Sequence, residues 1–244
     1  PQEEHLLGQH YDTPFFFSSN ALKQVGYLTI ELKKVYRQQD EQFISLLNQI
    51  RENKASEATL QALNQRYIPN FVPPKEGNYI RLTTHNAPAQ YINEQQLAAL
   101  PAQSFSFTAD IEGDFPETSY PADFKLTLKP GAQVMFIKND PQHRFYNGMI
   151  GEVIGVRTDE DGSKITVRSK DSGEEFDLEK MEWTNAKYTL NEKTKEIEET
   201  VEGKFMQYPL RLAWAITIHK SQGLTFEHAR SEEHTSELQS PMRI

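Results

Sequence analysis

Residues 208–226, YPLRLAWAITIHKSQGLTF, constrain this chain more than any other stretch. An apolar segment, Leu210 to Ile218, is broken only by Arg211 and Thr217. It ends in the polar cluster His219-Lys220-Ser221-Gln222-Gly223. No Asp or Glu occurs from Lys204 to Phe226, although the chain carries a net charge of −9. A local positive face on an acidic protein suits an anionic ligand such as a phosphate backbone. The residue types fit as well. Thr217 and Ser221 offer hydroxyls, Lys220 offers charge, and His219 can donate or stack. Gly223 lets a backbone approach closely. The plainer reading is a strand end followed by a solvated turn.

The 244 residues allow one large domain or two smaller ones. Fourteen Phe and ten Tyr are too many for a disordered chain. The absence of cysteine excludes disulfides and thiolate zinc sites. The seven histidines, His5, His10, His85, His143, His219, His228 and His234, show no metal-ligand spacing. No apolar run reaches the ~18 residues of a membrane helix, and residues 1–5 lack the basic start of a signal peptide. These features predict an intracellular protein, cytoplasmic if bacterial, with its N-terminus missing. The net charge argues weakly against nucleic-acid binding, but the acids crowd into Asp159 to Glu202, and an acidic insert beside a basic face is compatible with DNA binding.

Taken in order, residues 5–19 read as loop, and Phe15, Phe16 and Phe17 call for burial. Asn20 can cap a short helix ending near Gly26. Tyr27 to Val35 alternates like a strand. Asp40 caps a predicted helix to about Asn53, with Phe43, Leu46, Leu47 and Ile50 on one face. Ser56 caps another through Leu60 and Leu63. Asn78 to Thr83 is a short strand. The turn after it leads to a helix from about Pro88 to Leu100, with Tyr91, Ile92, Leu97 and Leu100 inward. Strand, hydroxyl-bearing turn and helix together form the local shape of a phosphate contact; Thr84 or Asn86 could equally be a simple cap. From Leu126 to about Met206, short strands alternate with Asn-Gly, Asp-Gly and Ser-Gly turns, which predicts a β-meander or barrel. Residues 143–146 form an exposed loop that is either a further DNA contact or an ordinary hairpin.

The string A-x-T-x-H-K-S-Q-G resembles motif V of superfamily 1B DNA helicases, the Pif and RecD type. Leu32 to Arg51, L-x-x-V-Y-R-Q-x-D-x-x-F-x-x-L-L-N-x-I-R, resembles their motif IV. The L-T-x-x-N string at Leu82 to Asn86 is similar to one that opens their second lobe. The string L-K-P-G-A-Q-V-M, with a following N-G-x-x-G-x-V, resembles the start of an SH3-like insert.

This resemblance implies an α/β fold: a partial RecA-like, P-loop NTPase-type second lobe carrying an SH3-like β-barrel. Residues 1–30 would end the first lobe and 31–125 begin the second. Residues 126–207 would be the insert, and 208–229 the motif V region. It further implies an ATP-dependent 5′→3′ helicase using ATP and Mg2+, acting as a monomer on single-stranded and forked duplex DNA. Arg37 would reach the ATP γ-phosphate as a finger, its planar fork suiting bidentate phosphate contact. Gln222 and Gly223 would lie near the nucleotide. Thr83, Thr84, Asn86, Thr217, His219, Lys220 and Ser221 would hold the DNA backbone. No G-x-x-x-x-G-K-[ST] string occurs in the chain. A RecD-like nuclease-complex subunit and a non-catalytic binding module remain alternatives. Residues 230–240, RSEEHTSELQS, read as the translation of a sequencing-library adapter, so residues 230–244 are expected to pack on nothing.

Overall fold

A computed structural model describes residues 11–13, 15–25, 27–32, 40–69, 71–72, 74, 79–159, 162–190, 197–224, 226 and 228–231. The chain divides into two compact units, Pro1–Pro69 and Asn70–Ile244.

The first unit is short and helical. A 3-10 turn, Phe16–Ser18, precedes helix α1 (Asn20–Gln24), and Ser19, not Asn20, takes the N-cap position. Helix α2 (Glu41–Arg51) starts as expected: the Asp40 carboxylate accepts from the Phe43 amide at 3.0 Å. Helix α3 (Glu57–Asn64) opens on a reciprocal capping box between Ser56 and Thr59. Three expectations fail here. Tyr27 to Leu32 forms no strand, and Leu28 and Leu32 are 84% and 90% exposed. Phe15, Phe16 and Phe17 are exposed, as are Leu47 and Ile50 on the apolar side of α2. The common cause is physical. An alternating segment needs a neighbouring strand to satisfy its backbone, and an apolar stripe needs a second layer. Residues 33–35 lie outside the described residues.

The second unit is mixed α/β. Strand β1 (Ile80–Thr83) leads into helix α4 (Asn86–Ala99). His85, not Thr84 or Asn86, occupies the α4 N-cap position, and its side chain makes no cap bond. Then come β2 (Phe105–Thr108), β3 (Asp110–Gly113), β4 (Lys125–Leu128) and β5 (Gln133–Phe136). They are followed by β6 (Ile150–Asp159), β7 (Gly162–Ser169), β8 (Glu175–Leu178), β9 (Met181–Leu190) and β10 (Ile197–Gln207). The unit closes with β11 (Leu210–Leu212), β12 (Ala215–Thr217), α5 (Ile218–Ser221) and β13 (Ala229–Ser231).

The strands separate as the turn pattern predicts. A five-stranded antiparallel sheet runs β11-β5-β6-β7-β8, apart from the parallel sheet β12-β1-β13. Val134, Phe136, Val153, Ile165, Val167 and Phe176 all turn inward and are buried. The five-stranded sheet is open among the described residues, with β11 and β8 as its edges. It reaches Leu212, beyond the predicted boundary at 207. Strands β9 and β10 pair as a long hairpin, with β3 on the outer side of β10. Among the described residues, no helix is long and apolar enough to cross a membrane.

The expectation that residues from Arg230 onward pack on nothing fails for Arg230 and Ser231. They pair in parallel with Arg81 and Leu82, and the Arg230 guanidinium donates to the Phe71 carbonyl. Main-chain ladders are largely indifferent to side-chain identity, so the open edge of β1 accepts the residues that follow Ala229. Leu238 and Ile244 lie outside the described residues.

One glycine lies against the leucine that packs on both sheets. Gly148 has φ +97°, and a Cβ there would stand 2.6 Å from Cδ2 of Leu224. Leu224 comes directly after the polar cluster and packs with Met135, Ile150 and Ile216. Gly148→Ala is therefore expected to cost about 1–2 kcal/mol, chiefly from the left-handed backbone. Leu224→Ala in the same protein should recover only part of it, because it opens space without changing φ. Chemical denaturation of both variants checks this; full recovery would mean that crowding, not φ, sets the cost.

Candidate nucleic-acid interface

The site is built by a register. Strands β1 and β12 are parallel neighbours, with Arg81 opposite Ala215, Leu82 opposite Ile216 and Thr83 opposite Thr217. Their carboxyl ends therefore lie side by side. Thr84-His85-Asn86 comes directly after β1, and Ile218-His219-Lys220-Ser221 directly after β12. Two stretches more than 130 residues apart in sequence meet at one edge. Ligands of open α/β sheets bind outside the carboxyl ends of the strands.

Within this edge the side chains divide into two sets. Thr83 and Thr217 are buried. The Thr83 hydroxyl donates to the His85 carbonyl at 2.9 Å, which fixes the turn. The Thr217 hydroxyl accepts from the Lys220 amide at 3.4 Å and caps α5. As arranged, these two threonines shape the loops from beneath. Thr84, Asn86, His219 and Lys220 are exposed, and Ser221 is half-buried. Thr84 Oγ1 lies 2.8 Å from His85 Nδ1, and the Ser221 hydroxyl donates to the Ile218 carbonyl at 2.7 Å. Gln222 and Gly223 are exposed, and Gly223 has φ +82°, a conformation that favours glycine. Arg37 lies outside the described residues.

Sequence reasoning missed the residue that holds β12 in place. Asn93 sits on α4, 9% exposed. Its amide donates to the Ala215 carbonyl at 2.8 Å, and its carbonyl accepts from the Ala215 amide at 2.9 Å. β12 is an edge strand, and Asn93 supplies the pairing that a further strand would give. The signal was present in the sequence. Ala89, Asn93 and Leu97 recur every four residues and are the buried stripe of α4. The apolar pattern put Tyr91 inward instead; it is 64% exposed.

Lys220 is the electrostatic centre. Burial and then the nearby Arg211 guanidinium push its ammonium below the usual lysine range, while Asp123 pulls it back up. Although the Lys220 side chain as a whole is exposed, its ammonium is partly desolvated near a second cation, a setting that favours an anion nearby. Elsewhere, the 143–146 loop is anchored by structure. Asp140 is buried and takes both the Arg144 Nε, at 2.7 Å, and its Nη2, at 3.1 Å. Phe145 is buried against Phe136 and Phe176, which removes it from the exposed loop contacts.

No family model matches the chain. An ATP-dependent DNA helicase Pif1 from Psychrobacter is 34% identical over 91% of this chain and 41% of its own length. A solved structure of Bacteroides Pif1 with ADP-AlF4 superposes with a TM-score of 0.78, at 36% identity, over 97% of this chain and 53% of that one. Over nine tenths of its length this chain is similar to Pif1-type helicases. It spans about two fifths of the length of that Psychrobacter relative. Bacteroides Pif1 bound to single-stranded DNA matches with a TM-score of 0.62, also at 36% identity, over 94% of this chain and 51% of that one. The mixed α/β architecture of the Asn70–Ile244 unit is thus a Pif1-type architecture, with the motif V resemblance at its parallel edge.

Proposed function

We propose that the chain is the second RecA-like lobe of an ATP-dependent 5′→3′ DNA helicase, with an SH3-like insert and the end of the first lobe. The full-length protein would act as a monomer on single-stranded and forked duplex DNA. The observation that carries this reading is the Thr83–Thr217 register. It sets the two candidate phosphate-binding stretches beside each other at the carboxyl edge of a parallel sheet. Kinship with Pif1 helicases supports it.

Each residue then has a task. Thr84, Asn86, His219, Lys220 and Ser221 grip the DNA backbone, and Thr83 and Thr217 set the loops that carry them. Gln222 and Gly223 face the nucleotide, and Arg37 senses its γ-phosphate. ATP would supply the free energy of the cycle, and Mg2+ would neutralise its phosphates. Its phosphate-cradling loop lies outside this chain. What this chain offers the nucleotide is an exposed Gln222, a glycine free of a side chain, and an arginine. Lobe closure and reopening would move each grip along the strand by turns.

The test is salt dependence. In the full-length protein, Lys220→Ala should weaken binding to an oligo-dT strand and a mixed-sequence strand alike. It should lower the slope of log K against log salt by roughly 0.7, the value for one lost single-strand phosphate contact. An unchanged slope would remove Lys220 from the DNA site.

A further inference from the structure

Beyond Lys220 the surface does not close. A cleft of about 550 Å³ continues between α4 and strands β4 and β11. It runs along α4 from Asn86 to Ala98, roughly 18 Å at the 1.5 Å rise of a helix. That is long enough for several nucleotides at ~3.4 Å each when stacked.

Its charge is the reverse of the chain's. Lys125, Lys129, Arg211 and Lys220 line it, against Glu94 and Asp123. Two of these six charges are already engaged in the helix. Lys129 donates to the Leu100 carbonyl at 2.8 Å and so serves the end of α4. Glu94 accepts from Gln90 one turn earlier, at 2.8 Å. Arg211 donates from Nη2 to the Pro121 carbonyl at 3.3 Å, and among the described residues makes no other side-chain hydrogen bond. Lys125 is exposed at the start of β4. Arg211 and Lys220 line the same cleft, so their charges add toward an anion there.

The neutral lining suits a strand's backbone. Ala89 and Ala215 are buried there, and a floor of such small residues lets a chain lie close. Asn86, Gln90 and Thr127 add amides and a hydroxyl. Among the described residues no aromatic ring lines the cleft, so it offers no stacking platform. It would read phosphates and not bases.

We propose that this cleft is a second phosphate seat for single-stranded DNA, in which Arg211 and Lys125 hold the strand beyond Lys220. The proposal rests on the helicase reading above and names where the strand goes next. A motor that must pass every sequence gains a longer grip without gaining base preference.

The experiment measures oligo-dT affinity of the full-length protein at several salt concentrations, for the wild type, Lys125→Ala, Arg211→Ala, the Lys125→Ala/Arg211→Ala double variant, Arg211→Lys and Lys220→Ala. Lys125→Ala and Arg211→Ala should each lower the slope by roughly 0.7, and the double variant by about twice that. Arg211→Lys should keep most of the slope, because it keeps the charge while giving up the bond to Pro121. Thermal unfolding of each variant separates a lost contact from a lost fold; Lys125, being exposed, keeps the test alive if Arg211→Ala unfolds. Wild-type slopes at Lys125→Ala and Arg211→Ala, beside a lowered slope at Lys220→Ala, would overturn the second seat and leave the helicase reading standing. Weakened ATP binding at Arg211→Ala with an unchanged slope would assign Arg211 to the nucleotide and also overturn it. No salt-dependent binding by the wild type would overturn the helicase reading itself.

Discussion

Arg37→Ala in the full-length protein is expected to bind nucleotide and DNA while hydrolysing ATP ~10³-fold or more slowly. The size reflects timing. A finger neutralises charge that develops mainly in the transition state, so its removal costs turnover and spares ground-state binding. Arg37→Lys should rescue little, since a point-like ammonium cannot reproduce the bidentate fork. If Arg37 were only an ion-pair partner at the surface, both variants would lose under ~1 kcal/mol of stability and keep their ATPase. DNA-stimulated ATPase measured beside thermal unfolding distinguishes the two outcomes.

Asn93→Ala should be a strongly damaging change within the Asn70–Ile244 unit, although the residue touches no ligand. It removes both bonds to Ala215 and leaves a buried amide and a buried carbonyl without partners. Each orphaned group costs about 1–3 kcal/mol, so a loss of roughly 2–4 kcal/mol is expected once partial relaxation is allowed. Asn93→Leu should fare no better, although it fills the volume, because neither backbone group regains a partner. The loss should reach function too. β12 ends in Thr217, whose hydroxyl caps the helix that carries Lys220, so single-stranded DNA affinity should fall with stability. Urea unfolding with DNA titration checks both. A loss under ~0.5 kcal/mol would mean that solvent replaces the amide and that the edge of β12 is not dry.

Much of this architecture was legible in the sequence, and the reasons are local. Turn chemistry placed short strands of the insert, among them Glu175–Leu178, which follows the Ser172-Gly173 turn. Asp40 and Ser56 were readable as caps because a cap is decided within one turn. Residues that depend on distant partners were harder to read. Tyr27 to Leu32 has the alternation of a strand, yet alternation cannot supply a neighbour to pair with. Leu210–Leu212 and Ala215–Thr217 look like one apolar run in sequence. They part into two sheets because Leu210 pairs with Phe136 and Ala215 with Arg81. The strand hairpin β9–β10 was harder to read, because Glu199 to Glu202 are exposed and its apolar face is confined to residues such as Trp183 and Phe205.

The candidate site shows the same division. The string from Thr217 to Gly223 announced itself through residue type. Its pairing with Thr84 and Asn86 needed the register of β1 against β12, which no local pattern contains. Arg211 appeared in sequence only as an interruption of an apolar run. Its place beside Lys220 comes from the turn between β11 and β12, which brings a strand of the insert back to the parallel edge.

ATP hydrolysis by this 244-residue chain alone and by the full-length protein, each with and without single-stranded DNA, tests the central claim most directly. The chain alone should hydrolyse nothing under either condition, since it carries no loop of the G-x-x-x-x-G-K-[ST] type to hold the phosphates. The full-length protein should hydrolyse ATP, and DNA should stimulate it. Hydrolysis by the isolated chain, or a full-length protein indifferent to DNA, would contradict the assignment of this chain as half of a DNA-driven motor.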